Sequence, residues 1–380
     1  MPFVIPATGV GGNGYRDIRA HTAAKCFDTE SGAGVAWNIE PDGARVGLEP
    51  VAARRLDRSR IGDTAANRLG ANILRLNVDE PDIYLKLENL QPIGSFKIRG
   101  AANAMGHMSP EMLARGVLTA SAGNMAQGVA WRARELGIPC TVVAPETAPD
   151  TKVRAIERLG GSVIKVPFEV WWRAFEERAF PGVDATFIHA FDDLNVMAGN
   201  GTIALEIVED LPEFDAVVIP WGGGGLTCGI ASALRALHPT TDPNGTTDSQ
   251  HTIVSNSRCR IYAAEVATAA PLSASLAAGS PQPVDYQPSF VDGIGARLVF
   301  PQMLARAKDL IDGSLVADLD SVASAIRLMA ERNHIIAEGA GACPVACALA
   351  GKAGGGKVVC IVSGGNIDPR ILCEILTVSS

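Results

Sequence analysis

The sequence has few aromatic residues and lacks the segments that mark nucleic-acid-binding or membrane proteins. Aromatic residues make up 5% of the 380 positions, and no run rich in Lys and Arg interrupts a chain whose formal net charge is -8. Few rings for base stacking and no basic tract predict that nucleic acid is not a partner. No uninterrupted apolar run reaches the roughly 18 residues that span a bilayer, so we expect no membrane partner either.

Paired cysteines and a secretory leader are also missing. The eight cysteines form no C-x-x-C pair, and no set of Cys and His has zinc-finger spacing. Residues 1–14 contain no basic segment followed by a sustained apolar stretch, which a secretory signal would require. Reduced thiols in a cytoplasmic protein are therefore the expected state.

What the chain does contain is a large apolar fraction and a regular alternation of segments. Hydrophobic residues make up 47% of the sequence, and 40 glycines punctuate it. Short β-branched runs predict strands at Ile83–Leu87, Val117–Ala120, Thr141–Ala144, Ser162–Val166, Ala216–Ile219, Arg260–Ala264 and Lys357–Val362. Helical patterns between them predict helices at Phe96–Met105, Met125–Leu136, Thr151–Leu159, Leu226–Leu237 and Ser321–Arg332. Apolar strands that alternate with helices favour an α/β fold with parallel sheets covered on both faces.

Two segments do not follow this alternation. Residues 1–55 are glycine-rich and weakly periodic, so they are interpreted as an N-terminal extension. Residues 239–258 are rich in Thr, Ser, Asn, Asp and Gly where a connection of a few residues is usual, and they are interpreted as a surface insertion.

Lys97 is the first residue that suggests chemistry. It lies between Phe96 and Ile98, without an acid beside it in the sequence. An amine in apolar surroundings loses hydration, its pKa falls, and it can then form a Schiff base with an aldehyde. The alternative is an ordinary lysine whose stem packs on apolar surface while its charge reaches water.

A glycine loop supports the chemical interpretation. Gly222, Gly223, Gly224 and Gly225 follow the predicted strand Ala216–Ile219 and precede a predicted helix. Successive backbone N–H groups at a helix N-terminus favour a phosphate, although a tight turn is the alternative. A lysine for an aldehyde and a loop for a phosphate together suggest pyridoxal 5′-phosphate (PLP).

Two further polar segments end predicted strands. Ser121-Ala122-Gly123-Asn124-Met125 follows one strand and offers donors for a carboxylate, or a plain helix N-cap. Ser363-Gly364-Gly365-Asn366 follows the last strand. Because sites in parallel α/β sheets form outside the carboxyl ends of strands, we expect these segments to converge on one active site.

These motifs, in this order, resemble the threonine/serine dehydratase and serine racemase group of PLP enzymes, which have the tryptophan-synthase-β fold (fold type II). The resemblance runs from about residue 61 to the C-terminus and includes the segment from Lys86 to Lys97. It implies two open, twisted, mostly parallel sheets with the cofactor between a large and a small domain. The expected domains are 56–115 with 193–380 as the large one and 116–192 as the small, substrate-binding one.

The resemblance also implies a role for each matching residue. Lys97 would hold PLP as a Schiff base and act as acid and base at Cα, and Phe96 would pack against the ring. Asn124 would contact the ring hydroxyl and Ser363 the pyridine nitrogen. The remaining implied contacts are Gly222, Gly223, Gly224, Gly225 and Leu226 around the phosphate, and Ser121, Ala122, Gly123, Asn124 and Met125 around the substrate.

The implied activity is that of an ammonia-lyase, which eliminates water from a β-hydroxy-L-amino acid and gives a 2-oxo acid and ammonia. Racemases of the group carry serine where Ala122 stands, so we expect weak or no racemisation. Many dehydratases carry histidine where Met125 stands, which favours a bulkier, apolar substrate such as phenylserine; neutral drift is the alternative. A β-replacement synthase of the same fold is an alternative, but its relatives favour a threonine-bearing loop where this chain has Ser121-Ala122-Gly123-Asn124. A non-catalytic PLP-binding protein is the other alternative, and the intact Lys97, glycine loop and Ser363 speak against it.

The remaining expectations concern metals and partners. Glu265 matches one carboxylate of the cation site in racemase-like members, but no acid stands near Pro271 where the second is expected, so no metal is predicted. Glu338 and Asp292 match positions that line the site in the group. The alternatives are that Glu338 caps a helix and that Asp292 orders a turn. A small amino acid is the expected substrate, and a homodimer the expected assembly.

Overall fold

The computed structural model describes residues 73–79, 81–237 and 259–377, together with two short strands, β1 (Ala36–Trp37) and β2 (Leu48–Glu49), that pair antiparallel. The predicted insertion at 239–258 lies outside the described residues, and so does the predicted extension at 1–55 apart from these two strands. Residues Arg58–Ser380 form one compact unit, which contains everything described below.

The described strands and helices alternate along most of this unit. The strands are β3 (Ile73–Arg75), β4 (Ile83–Leu87), β5 (Val117–Ala120), β6 (Cys140–Pro145), β7 (Ser162–Val166), β8 (Thr186–Phe187), β9 (Ala216–Pro220), β10 (Arg260–Val266), β11 (Gly313–Ala317) and β12 (Val358–Val362). The helices are α1 (Lys97–Gly106), α2 (Pro110–Ala114), α3 (Asn124–Leu136), α4 (Asp150–Arg158), α5 (Phe168–Glu177), α6 (Leu194–Asp210), α7 (Gly225–Leu237), α8 (Pro271–Ala278), α9 (Pro301–Leu310), α10 (Leu319–Asn333), α11 (Gly339–Leu349) and α12 (Pro369–Thr377).

Two sheets organise these elements. The larger sheet has the order β11-β10-β9-β12-β4-β3, and all its pairs are parallel except β3 with β4. The smaller sheet has the order β7-β6-β5-β8, and its pairs are all parallel. The predicted fold class, two mostly parallel sheets flanked by helices, is confirmed, while the assignment of one sheet to each domain stays a prediction.

The central strands are apolar because both of their faces are covered. Every residue of β9 and β12 is buried. Helix α11 is buried along ten of its eleven residues and packs on the larger sheet. A strand that is buried on both faces has no solvent side, so it consists of a continuous β-branched run and not of alternating polar and apolar residues. This is why the strand pattern could be recognised in the sequence.

A buried ion network fixes helix α1. Arg99 on α1 donates to both carboxylate oxygens of Glu88 over 2.7 and 2.8 Å, and to both oxygens of Glu206 on α6 over 2.7 Å. Lys86 on β4 donates to Glu206 over 2.6 Å. Burial opposes ionisation of Glu206, but Arg99 and Lys86 outweigh it and lower the pKa of this carboxyl to about 2. Arg99, two residues after Lys97, thus anchors α1 in a network of two cations and two anions.

None of the described helices has the length and apolar character needed to span a membrane.

Candidate active site

A cavity of about 660 Å³ opens where strand ends of both sheets meet. Residues that follow the carboxyl ends of β5 and β6 line it from the smaller sheet, and residues that follow β9 and β12 line it from the larger one. Every site residue predicted from the sequence lies on its wall: Phe96, Lys97, Ser121, Ala122, Gly123, Asn124, Met125, Gly222, Gly223, Gly224, Gly225, Leu226 and Ser363. The structure brings them together, and their individual roles stay predictions.

Lys97 presents its amine to this cavity from the first position of α1. Its Nζ donates a 2.7 Å hydrogen bond to the carbonyl of Ala190 and lies 5.1 Å from the centroid of the Phe96 ring. Helix α3 approaches closely because it carries Gly128, where a Cβ would lie only 3.1 Å from the Lys97 carbonyl. The lysine is therefore confined between two helices and an apolar ring.

This environment changes the acidity of the amine. Burial lowers the pKa of Lys97 to about 8, and the negative charge of Glu338 opposes that shift. The sequence places no acid beside Lys97, but the fold brings Glu338 from the residue before α11. A lysine whose pKa is near 8 is partly neutral at physiological pH, so it can act as a nucleophile or a base.

The glycine loop links β9 to the N-terminus of α7 and lines the cavity. A Cβ at Gly223 would lie 2.0 Å from the Phe191 ring, so no larger residue fits without displacing it. The N–H group of Cys228 donates a hydrogen bond to the carbonyl of Gly224. The N–H groups that precede it at the start of the helix have no acceptor within the helix. The loop therefore offers free donors and a positive helix end to an anion.

The segment after β5 does not form the plain side-chain cap that was its alternative interpretation. Helix α3 begins at Asn124, its N-cap residue is Gly123, and no side chain caps it. The Oγ of Ser121 accepts instead from the N–H of the N-cap residue Gly123 over 3.2 Å. The helix start is thus left to receive a negative group from the cavity.

Asn124 joins this segment to Glu338. The amide Nδ2 of Asn124 donates to both carboxylate oxygens of Glu338 over 2.9 and 3.2 Å, and its Oδ1 accepts from Nδ2 of Asn366 over 2.8 Å. Burial raises the pKa of Glu338 to about 7, although the bond from Asn124 works against that rise. Glu338 is the N-cap residue of α11, and its carbonyl accepts from Ala342 N over 3.0 Å, but its side chain caps no helix N–H and is left for Asn124.

Ser363 follows β12 and faces the cavity with only 3% of its surface exposed. Its carbonyl accepts from Phe96 N over 3.0 Å, which ties the end of β12 to the residue before Lys97. A hydroxyl at this position carries no formal charge and cannot hold a ring nitrogen protonated as a carboxylate would.

Glu265 is occupied by protein donors. Its carboxylate accepts from Leu272 N over 2.8 Å, from Ser273 N over 2.7 Å and from the Ser314 hydroxyl over 2.7 Å. Within residues 73–79, 81–237 and 259–377, no cluster of three or more His, Cys, Asp or Glu side chains could hold a metal ion. In this structure, Glu265 orders the start of α8.

Sequence reasoning missed the aromatic part of the cavity wall and one ion pair. Phe168, Trp171, Phe191 and Tyr286 line the cavity, and Lys152 pairs with Asp292 over 2.5 Å. Asp292 therefore contacts a cation and does not merely order a turn. The missed signal was the spacing of aromatic residues at 168, 171, 172 and 175, which places four rings on one helical face.

Comparison with known proteins identifies the kind of chemistry. A family model described as pyridoxal-phosphate dependent enzyme matches residues 58–364. An L-threonine ammonia-lyase of Thermotoga maritima is 38% identical over 298 residues, which cover 78% of this chain and 70% of the relative. A catabolic L-threonine dehydratase of Staphylococcus aureus is 37% identical over 304 residues, which cover 78% and 82%.

Solved structures agree with these relatives. Maize serine racemase superposes with a TM-score of 0.70 at 29% identity, over 83% of this chain and 93% of that one. The processed form of threonine deaminase isoform 2 from Solanum lycopersicum superposes with a TM-score of 0.67 at 28% identity, over 98% of both chains.

The residues of the cavity suit the cofactor of this family. A glycine loop at a helix start offers backbone N–H groups to the phosphate, and a Cβ at Gly223 or Gly225 would collide with Phe191. Lys97 supplies an amine of lowered pKa for the aldehyde, and Ser363 supplies a neutral hydroxyl for the ring nitrogen. Donor chemistry and space are both appropriate, so PLP fits this site.

Proposed function

We propose that the substrate of this protein is a β-hydroxy-L-amino acid. The chain belongs to the pyridoxal-phosphate dependent enzyme family. It is a PLP-dependent lyase similar to threonine ammonia-lyases. The enzyme removes water across Cα and Cβ, and the product hydrolyses to a 2-oxo acid and ammonia. The observation that carries this proposal is the amine of Lys97, with its pKa near 8, in the same cavity as the glycine loop.

Bound PLP supplies the electron-withdrawing group that makes the Cα–H acidic. Lys97 accepts that proton in its neutral form, and its place at the start of α1 keeps the amine on one face of the substrate. The N–H groups at the start of α3 orient the substrate carboxylate. Phe191 and Ile294 exclude water from the apolar side of the cavity.

Ala122 favours elimination over racemisation. Racemisation needs a second group that delivers a proton to the opposite face of Cα, and a methyl side chain cannot exchange protons. Ala122 lines the cavity, so its side chain is available for a direct test. We expect Ala122→Ser to gain interconversion of L- and D-serine, whereas Ala148→Ser, which adds the same hydroxyl elsewhere on the cavity wall, does not.

Met125 supports a substrate with an apolar β-substituent. Its side chain is 2% exposed and lines the cavity at the second position of α3. A thioether offers no strong hydrogen bond and adapts to apolar groups. Serine, threonine and a bulkier analogue such as phenylserine therefore remain the substrates to compare.

A keto-acid assay on the holoenzyme tests this function. We expect 2-oxo acid and ammonia to form in equal amounts from at least one of L-serine, L-threonine and phenylserine. If D-serine formed from L-serine as fast as pyruvate, the protein would be a racemase. If a thiol supplied in the assay were incorporated into the product, the protein would be a β-replacement synthase. A visible cofactor band without turnover of any amino acid would leave only a PLP-binding protein.

Four further proposals accompany the function, and they concern the domains, the compartment, the assembly and nucleic acid. The larger sheet belongs to a domain formed by residues 56–115 and 193–380, and the smaller sheet to a domain formed by residues 116–192. The protein acts in the cytoplasm as a homodimer and does not bind nucleic acid. Sedimentation of the holoenzyme at two concentrations tests the dimer, and retention on heparin at low salt would contradict the absence of nucleic-acid binding.

A further inference from the structure

Aromatic residues are concentrated around the cavity although they are scarce in the chain. The sequence has 11 Phe, 5 Trp and 4 Tyr. Five of these rings line the cavity: Phe96, Phe168, Trp171, Phe191 and Tyr286. The hydrogen or methyl group on Cβ of serine or threonine would use few of these contacts.

Helix α5 supplies two of these five rings, Phe168 and Trp171. Phe168, Trp171, Trp172 and Phe175 share one face of the helix, and such a stripe normally packs into a core. Only Phe175 does so fully, with 5% of its surface exposed, whereas Phe168 is 57% exposed. Phe168 and Trp171 instead face the cavity.

The Trp171 ring packs against other aromatic rings on the side away from the cavity. Its centroid lies 6.0 Å from that of Phe175 in a stacked arrangement, and Phe175 lies 5.6 Å from Phe191 and 4.5 Å from His189. Burial lowers the pKa of His189 to about 4, so this ring is neutral at physiological pH and packs with its aromatic neighbours. A ring fixed in this way presents a preformed apolar surface to an occupant.

The rest of the wall near the end of β6 is mostly apolar, and its charge is compensated. Pro145 ends β6, and Thr147, Ala148 and Pro149 follow it on the wall, so Thr147 supplies the one hydroxyl of this segment. Lys152 also lines the cavity, but it is paired with Asp292 over 2.5 Å. The charge of Lys152 is thus already compensated and attracts an acidic side chain less strongly, whereas an aromatic ring needs no charged partner.

We propose that Phe168 and Trp171 select the substrate, and that the substrate class is β-aryl-β-hydroxy-L-amino acids, of which phenylserine is the simplest. This inference rests on the proposed lyase function and deepens it. The Cα–H and Cβ–O bonds break, and the hydroxide leaves with a proton as water. The resulting enamine is hydrolysed by water to an arylpyruvate and ammonia, so no oxidant or reductant is needed.

The test compares kcat/KM for phenylserine and for L-threonine in the holoenzyme and in Phe168→Ala and Trp171→Leu. The wild type should prefer phenylserine, and each substitution should lower the ratio of phenylserine to threonine efficiency about tenfold, mainly through KM. L-Phenylalanine, which has no β-hydroxyl to lose, should inhibit the wild type competitively and inhibit both variants more weakly. Phe214→Ala is the control, because Phe214 is a partly buried ring that does not line the cavity, and it should leave the ratio unchanged.

Two results would overturn the inference and leave the lyase function intact: a wild-type preference for threonine, or an equal loss for both substrates in Phe168→Ala. Phe168 is more than half exposed, so Phe168→Ala is expected to fold. Its kinetics therefore test the inference even if Trp171→Leu does not fold. Failure of the lyase function itself has another signature, a cofactor-loaded protein that releases no 2-oxo acid from any β-hydroxy amino acid.

Discussion

The amine of Lys97 and the carbonyl of Ala190 are joined by a 2.7 Å hydrogen bond, although the two residues are 93 positions apart. Lys97 begins helix α1, which follows β4 of the larger sheet along the chain and packs on α3 and α6, whereas Ala190 follows β8 of the smaller sheet. The bond therefore fixes the reactive amine at the point where the two parts of the cavity wall meet.

Lys97→Ala should abolish both the visible absorption band of the bound cofactor and the release of 2-oxo acid, because the substitution removes the amine that reacts with the aldehyde. Lys152→Ala is the matched control, since Lys152 also lines the cavity but is paired with Asp292. The control should keep the absorption band. Turnover by Lys97→Ala would contradict the assignment of the reactive lysine.

Capture of PLP by the apoenzyme should depend on pH with a midpoint near 8. The neutral amine reacts with the aldehyde, and the neutral fraction of Lys97 rises as the pH passes its pKa of about 8. The rate should therefore be low at pH 6, rise through pH 8 and level off above it. Stopped-flow absorbance of the forming cofactor band measures this profile.

Removal of the Glu338 charge should move that midpoint to lower pH. The carboxylate favours the ammonium form and so raises the pKa of Lys97. Glu338→Gln should therefore shift the profile downward, while Glu135→Gln, which removes an exposed carboxylate from α3, should not. An unchanged or raised midpoint in Glu338→Gln would show that the two groups do not interact.

Gly223→Ala should weaken PLP binding at least about tenfold, because a Cβ intrudes on the loop that receives the phosphate. That Cβ would lie 2.0 Å from the Phe191 ring. Gly355→Ala is the control, because a Cβ there meets nothing within 4 Å and the residue has no positive φ. Equilibrium titration of the apoenzyme measures the affinity.

The double variant Gly223→Ala with Phe191→Ala separates two reasons for this glycine. Removal of the ring relieves the clash, so recovered thermal stability is expected. If cofactor affinity also recovered fully, Gly223 would serve only to accommodate Phe191.

Arg99→Met should destabilise the protein by about 3–5 kcal/mol, since it leaves Glu88 and Glu206 as buried carboxylates without their bidentate partner. Arg75→Met is the control, because Arg75 makes an ion pair with Asp82 at the surface, where screening by water leaves little net effect. Urea unfolding monitored by circular dichroism should show a large decrease in the midpoint only for Arg99→Met. Equal decreases would show that the buried network adds no stability of its own.

Several elements were predictable because local forces determine them. The strands Ile83–Leu87, Val117–Ala120 and Ser162–Val166 have the predicted bounds, since β-branched runs between glycine and proline turns are a local signal. The predicted helix at Phe96–Met105 is observed one residue later, at Lys97–Gly106. The glycine loop lies between a strand and a helix as predicted, because only the backbone and small residues are needed to form it.

Further features needed the fold. The α5 stripe has the spacing of an ordinary core helix, and the sequence does not tell which of its rings meets the cavity. Phe175 packs into the interior, whereas Phe168, seven residues earlier on the same face, is more than half exposed at the cavity. Exposure depends on what the neighbouring elements cover, and that is not a property of the helix alone.

The sequence by itself determined the fold class and the order of the motifs, and it singled out Lys97 as the candidate reactive lysine, because these follow from residue types at short spacing. The tertiary structure alone decided the electrostatic and steric environment of that lysine. Glu338 is 241 positions from Lys97 in the chain, yet its charge acts on the Lys97 amine. Coulomb forces and steric contact depend on distance in space, and only the packing of the two sheets sets that distance.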